Sequence, residues 1–318
     1  MLRPRRPSGL IAACLLALTV PCPGQTVPPP ILEITTVARV VDVYATVRDG
    51  RGRLITSLGR DQFELLDDGV PQRVEFFAHE TDAPLNLGLL MDTSSSQARL
   101  LTAEREDAAA FLHRVLGPRD RAFVMGFDRE IQLVQGLTSE ASLVSRAIDA
   151  VRADPGPDPT APPSRRGGPR GTRLYDAIRQ ASEVLGGQKG RKVLVLLTDG
   201  EDQGSRATRG TALEAAERAE VIVYSVLVAD PAFYWARGRD FGGEAALAAL
   251  QEKTGGFLVH PETARGLDEI AAELRAQYRL GYSPRPPRYD GSFHRIEVRL
   301  TGARHRVRAR RGYYATAE

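Results

Sequence analysis

Asp92, Ser94 and Ser96 occupy alternate positions directly after the apolar run 85–91, and Thr198-Asp199-Gly200 closes a second apolar run, "KVLVLL". Between them, Gly171-Thr172 places another hydroxyl just ahead of a helix-like segment. Carboxylates and hydroxyls without histidine or cysteine make a hard-oxygen donor set, which suits Mg²⁺, Mn²⁺ or Ca²⁺ and not Zn²⁺. Two carboxylates just neutralise one such ion, so a further anionic ligand from outside can still be drawn in. A serine-rich turn after a strand is also a common cap, so the pentapeptide alone leaves a purely structural turn open.

These residues can meet only if the fold brings the ends of distant runs together. The runs "LNLGLLM", "RAFVMGF", "KVLVLL", "VIVYSVLV" and "GGFLVH" are apolar without alternation, and helix-like segments fall at about 98–116, 140–152, 173–186, 208–219, 243–254 and 264–279. Strands apolar on both faces with helices between them predict a doubly wound α/β sheet. "EIQLVQ" follows "GFD" too closely for a crossover helix and reads as an antiparallel edge strand, giving a mostly parallel sheet of six strands. In such a sheet, ligands bind beyond the carboxyl ends of the strands where strand order reverses. The first and fourth runs, which carry Asp92 and Asp199, are the neighbours expected there.

Other chemistries fit less well. An aspartyl-phosphate nucleophile wants a second acid two residues on, where Ser94 stands. A serine hydrolase needs a base, and His79, His113, His260, His294 and His305 are scattered outside any recognisable motif. "GGQKGRK", 186–192, ends a helix and precedes a strand, the reverse of a phosphate loop, and reads as a C-cap turn.

D-x-S-x-S after the first strand, the threonine of a "GT" loop, and "TDG" after the fourth resemble the metal-ion-dependent adhesion site of von Willebrand factor type A (VWA) domains, over roughly 84–280. The resemblance implies a non-enzymatic binding role. It implies that Ser94 and Ser96 ligate Mg²⁺ (or Mn²⁺ or Ca²⁺) through their hydroxyls, that Thr172 joins in the ligand-bound state, and that Asp92 and Asp199 act directly or through water. An Asp or Glu of a protein partner would complete the shell. The insertion 153–170, rich in Pro, Gly and Arg, precedes Thr172 where the family has a shorter loop, and Asp176 reads as a helix residue and not a ligand. The flanking segments look like exported bacterial VWFA-related proteins of the acidobacterial type. An assembly subunit that uses the same domain as a permanent scaffold is the alternative function.

The flanks use strand grammar. Residues 35–82 alternate with turn signals at Asp49-Gly50 and Asp68-Gly69, and 282–318 read as a β hairpin, "GSFHRIEVRL" and "HRVRARRGYY" around "TGAR". Both are expected to pack as one small β domain flanking the α/β domain at 83–281. Arg304, Arg306, Arg308 and Arg310 recur at period two, so one face is either a solvated edge or a weak contact for an anionic surface. Phe233, Tyr234 and Trp235 are either a contact tip or packing over the sheet end.

Composition is that of an ordinary globular protein, with 42% hydrophobic and 26% charged residues. The 43 basic and 40 acidic residues leave a net charge of +3, which gives no reason to expect a nucleic-acid partner. Arg3, Arg5 and Arg6, an apolar core at about 10–20 and small residues after it predict a secretory signal over 1–25 and a linker over 26–34, hence a periplasmic or secreted protein. A permanent N-terminal anchor stays open. Both cysteines, Cys14 and Cys22, fall in the leader, so the expected mature chain has no disulfide.

Overall fold

The computed structural model describes residues 40–79, 83–153, 171–230, 242–260, 263–302 and 305–315. The expected leader and linker, the insertion from 154 to 170, the aromatic loop with Phe233, Tyr234 and Trp235, and Arg304 lie outside them. Alternation makes strands of the first described segment: β1 (Val41–Arg48), β2 (Phe63–Asp67), β3 (Val70–Gln72) and β4 (Phe76–His79). The Asp68-Gly69 signal is a hairpin turn, with both residues at positive φ (50° and 80°) and Asp67 opposite Val70.

The α/β region runs β5 (Leu85–Asp92), α1 (Leu101–Val115), β6 (Arg121–Phe127), β7 (Ile131–Thr138), α2 (Ala141–Ala150), α3 (Leu174–Gly186), β8 (Arg191–Thr198), α4 (Arg209–Arg218), β9 (Ile222–Leu227), α5 (Gly243–Thr254), β10 (Leu258–Val259) and α6 (Thr263–Arg275). Its sheet is six-stranded in the order β10-β9-β8-β5-β6-β7, parallel except for β7, which runs antiparallel to β6 at the edge. Side chains of β5 alternate between two cores. Leu87, Leu89 and Met91 pack with Phe111 of α1, Ile148 of α2 and Ile270 of α6. Leu90 packs on the other face with Ile178 of α3, Ala216 of α4 and Leu250 of α5. Helices cover both faces, which is why the strands carry no polar alternation. Strand order reverses between β5 and β8. Among the described residues no helix is long and apolar enough to cross a membrane.

After α6 the chain adds β11 (Tyr278–Tyr282), β12 (Phe293–Leu300), β13 (Arg306–Ala309) and β14 (Gly312–Tyr314). They build two four-stranded sheets with the first segment, β13-β1-β11-β4 and β14-β12-β2-β3, over a shared core that includes Val43, Leu65, Tyr278, Leu280, Tyr282, Ile296 and Tyr313. Two expectations are corrected here. The helix expected to reach residue 279 ends at Arg275, because Tyr278, Leu280 and Tyr282 turn inward at period two and pair with β1 and β4. The two C-terminal segments do not pair along their length as one hairpin: β12 pairs with β2 and, only over Phe293–Arg295, with β14, while β13 pairs with β1. A private hairpin would leave the backbone groups along the edges of β1 and β2 without partners, and the observed pairing satisfies both.

Polar contacts fasten the layers. Fully buried Glu273 of α6 takes Arg48 of β1 at 3.0 Å and Arg308 of β13 at 3.1 Å. Asp67 Oδ2 accepts the hydroxyls of Tyr282 and Tyr313, each at 3.0 Å. Removing one donor, Tyr313→Phe, is expected to cost about 1–3 kcal/mol, since a buried carboxylate loses part of its solvation. Tyr313→Ala, which also empties a core position, should cost about 3–5 kcal/mol. Urea unfolding of both variants measures the difference, and equal small losses would mean that β14 contributes little to this core.

Candidate functional site

The reversal of strand order puts the ends of β5 and β8 side by side, so Asp92, the last residue of β5, faces Thr198, the last of β8. Thr198 Oγ1 donates to Asp92 Oδ2 at 2.6 Å and itself accepts the Gly200 N–H at 3.0 Å. The chain leaving β5 is tied to β6 by the Thr93 N–H on Phe127 O (2.9 Å), then turns so that the Ser94 N–H reaches Asp92 Oδ1 at 3.0 Å. That turn aims the serines across the gap. Ser94 Oγ and Ser96 Oγ are 2.8 Å apart, and Ser96 Oγ donates to Asp199 Oδ2 at 2.7 Å. Asp199 Oδ1 accepts the Glu201 N–H at 3.0 Å.

Four of the five expected residues, Asp92, Ser94, Ser96 and Asp199, therefore form one connected group, each under a tenth exposed. Thr172 is buried nearby in the chain's layout, between the loops that follow β6 and Asp199. Its carbonyl accepts the N–H groups of Gln203 and Gly204, each at 3.0 Å, and the next residue's N–H bonds Asp128 O at 2.9 Å. Among the described residues its hydroxyl is not bonded to the other four. Asp176 lies in α3 and accepts the N–H groups of Arg206 and Ala207, a helix residue bracing a loop.

Two contributors, Gln97 and Glu104, were not read from the sequence, and Thr198 was read only as part of the "TDG" run. Gln97, fully buried, donates its amide to Asp199 Oδ2 at 3.0 Å and to Val228 O at 2.9 Å, holding the aspartate's rotamer. Thr198 anchors Asp92. Glu104 lies on the inward face of α1 with Leu101, Ala108, Phe111 and Leu112, 1% exposed, and among the described residues neither carboxyl oxygen has a hydrogen-bond partner. An acid on a helical stripe that is otherwise apolar is the signal that could have found it. Gly243, at the start of α5, abuts the site: a Cβ there would lie 2.0 Å from Asp199 O and 2.7 Å from the Gly200 carbonyl carbon. The glycine thus lets α5 pack directly on the loop that carries Asp199.

The electrostatics follow from burial. Removal from water, and then the charge of Asp199, push the Asp92 carboxyl above the usual range. Burial pushes Glu104 up to about 8, with Asp92 and Asp199 adding to it. Asp92 and Glu104 therefore hold their protons more tightly than free carboxyls until positive charge enters the cluster. Arg99 pairs with Asp230 at 3.6 Å, and Arg129 approaches Asp128 at 3.9 Å.

Residues 87–201 match the von Willebrand factor type A domain, a span that runs from within β5 past Asp199. A search of curated proteins finds no match. Among solved structures, the chain is similar to an aerotolerance-related membrane protein from Bacteroides fragilis NCTC 9343 carrying multiple mutations to serines (15% identity, 60% of this chain and 98% of that one, TM-score 0.43). It is similar also to the vWF domain of the type V pili tip protein Mfa5 from Porphyromonas gingivalis (12% identity, 60% and 94% covered, TM-score 0.43). A third is proximal thread matrix protein 1 from the mussel byssus (16% identity, 66% and 51% covered, TM-score 0.46).

The raised carboxyls set a pH dependence. Folded Glu104 keeps its proton up to about 8, whereas in the unfolded chain it loses it near 4.5. Between those values the folded state binds more protons, so stability is greatest at the acid end and falls as pH rises; Asp92 acts in the same direction. The urea midpoint of chelator-treated protein should drop across this window, with a slope approaching about 1.4 kcal/mol per pH unit for one such carboxyl, and Glu104→Gln should flatten it. A midpoint that rises with pH would contradict the assignment.

Proposed function

We propose that this VWA domain belongs to an exported, non-enzymatic binding protein whose Asp92, Ser94, Ser96, Thr172 and Asp199 hold a divalent cation, Mg²⁺ or else Mn²⁺ or Ca²⁺, and through it a carboxylate of a protein partner. The observation that carries this reading is the spacing of the oxygens. Octahedral coordination at about 2.0–2.1 Å puts neighbouring oxygens roughly 2.9 Å apart. Ser94 Oγ, Ser96 Oγ and Asp199 Oδ2 follow one another at 2.8 and 2.7 Å. The donors are also held in place beforehand: the Ser94 N–H and Thr198 fix Asp92, while Gln97 and the Glu201 N–H fix Asp199.

The chain's residues divide the work. Asp92 and Asp199 supply negative charge, and their mutual repulsion is what a cation relieves. Ser94 and Ser96 supply neutral oxygens, so the site as a whole does not become strongly anionic and can still accept a partner's carboxylate. A bound divalent ion would supply the open coordination position for that carboxylate. Thr172, whose carbonyl is held by the loop after Asp199, would add its hydroxyl when that loop adjusts. Of the basic face expected along β13, Arg306 is exposed, whereas Arg308 is ion-paired with buried Glu273 and Arg310 with Glu220, so this strand offers little free charge to an anionic surface.

Calorimetric titration of the EDTA-stripped chain with Mg²⁺ and Mn²⁺ is expected to show saturable binding that Asp199→Ala abolishes while the circular dichroism spectrum is kept. Equal binding by the variant, or none by the parent chain, would contradict the proposal. Partners captured with metal present should be released by EDTA. A complex that survives EDTA would favour the permanent assembly subunit.

A further inference from the structure

A second group of ligating side chains lies in the β layers, in strands that the α/β site does not use. The β2–β3 turn and β12 bring Asp67, Asp68 and His294 together across more than two hundred residues of sequence. One oxygen of each carboxylate and a ring nitrogen of His294 lie within 4.8 Å of one another. Asp67 is 1% and His294 3% exposed, while the Asp68 side chain is 37% exposed and opens the group to solvent.

Each ligand is already oriented. Asp67 Oδ2 takes two tyrosine hydroxyls, and its other oxygen, Oδ1, is buried without a hydrogen-bond partner among the described residues. Asp68 Oδ1 accepts the Arg295 N–H at 2.9 Å, which leaves Oδ2 turned toward His294 Nδ1 at 2.8 Å. On the far side of the ring, Nε2 lies 2.9 Å from Ser292 Oγ and 3.3 Å from Asp290 Oδ1. Ser292 donates its own hydroxyl proton to Asp290, at 2.7 Å, so toward the ring it acts as an acceptor and Nε2 carries the hydrogen. A carboxylate behind one ring nitrogen is the arrangement that fixes the tautomer of a metal-binding histidine and frees the other nitrogen. In a neutral ring so fixed, the Nδ1 lone pair would face the Asp68 carboxylate at 2.8 Å, and these repel unless a positive charge lies between them. A proton can fill that place, and so can a metal ion that displaces it.

We infer that Asp67, Asp68 and His294 form a second metal site, of mixed nitrogen and oxygen donors, that takes Zn²⁺. Imidazole with two carboxylates and an open fourth position suits a borderline cation, in contrast to the all-oxygen group at the end of β5. Ligands at about 2.0–2.2 Å stand roughly 3.4 Å apart in a tetrahedron, so the Nδ1–Asp68 pair, now at 2.8 Å, opens by about 0.6 Å within a group whose ligand atoms already lie within 4.8 Å of one another. Arg288, 3.4 Å from Asp68 Oδ2, is the resident cation that the ion must displace. The bound ion ties the β2–β3 turn to β12, one stitch between the first and last strands of the β layers.

The full chain carrying Asp199→Ala keeps the two sites separable. Titrated with Zn²⁺ by calorimetry, it should bind one equivalent, and Co²⁺ in its place should give the visible absorption of an imidazole-ligated ion. His294→Gln in the same background should weaken Zn²⁺ at least roughly a hundredfold and abolish the Co²⁺ spectrum. Asp68→Asn, which keeps an acceptor for the Arg295 N–H, serves as the second variant should the glutamine not fold. No saturable Zn²⁺ binding by the Asp199→Ala chain, or undiminished binding in a folded ligand variant, would overturn the site and leave His294 as an ion-paired turn clamp. Neither result bears on Mg²⁺ at Asp92 and Asp199.

Discussion

Two neighbouring parallel strands, β5 and β8, meet at the point of strand reversal and bring aspartates, one at the end of β5 and one just past β8, into the same small, dry space. Asp92 and Asp199 are 0% and 1% exposed, and a carboxylate there has lost its water and meets a like charge. The surroundings answer that cost with donors. Thr198, the Ser94 and Glu201 N–H groups, Gln97 and Ser96 all point hydrogens at one or other aspartate. Local features far from obvious in themselves then have a cause: the tight turn after β5, the glycine contact between α5 and the Asp199 loop, and the glutamine at the start of the path into α1 all hold carboxylate oxygens in fixed positions. Glu104 runs the other way, adding a third buried acid that raises the value of positive charge in the cluster.

The α/β region was largely legible because burial on both faces of a sheet leaves a plain mark, unbroken apolar runs of strand length, and β5, β6, β8 and β9 are such runs. The antiparallel β7 was legible from the shortness of its connection to β6. Asp92, Ser94, Ser96 and Asp199 could be found because each lies beside the end of one of these strands, where topology makes distant residues neighbours. Gln97 and Glu104 escaped because they lie away from the strand ends, Glu104 inside α1, and because their roles, like that of Thr198 within the "TDG" run, depend on which oxygen they face.

Partnership in the β layers was not legible. Alternation identifies β12 and β13 as strands but does not say that one seeks β2 and the other β1, since pairing is decided by which edges remain open in the folded chain. The same limit hides the Asp67, Asp68 and His294 group, whose members adjoin only through the register that sets Asp67 opposite Ile296. What results is a chain whose last strands complete sheets begun by its first, with Glu273 of α6 joining them to the α/β region through Arg48 and Arg308.

Crystals soaked in Mn²⁺ and measured near the manganese absorption edge would locate the ion without assumptions about affinity. A cation site at the strand reversal predicts one anomalous peak at roughly 2.0–2.5 Å from Ser94 Oγ and Ser96 Oγ, between Asp92 and Asp199. An ordered, unchanged group of these side chains with no peak, or a peak only elsewhere on the chain, would contradict it and leave the buried aspartates as a structural feature of the sheet.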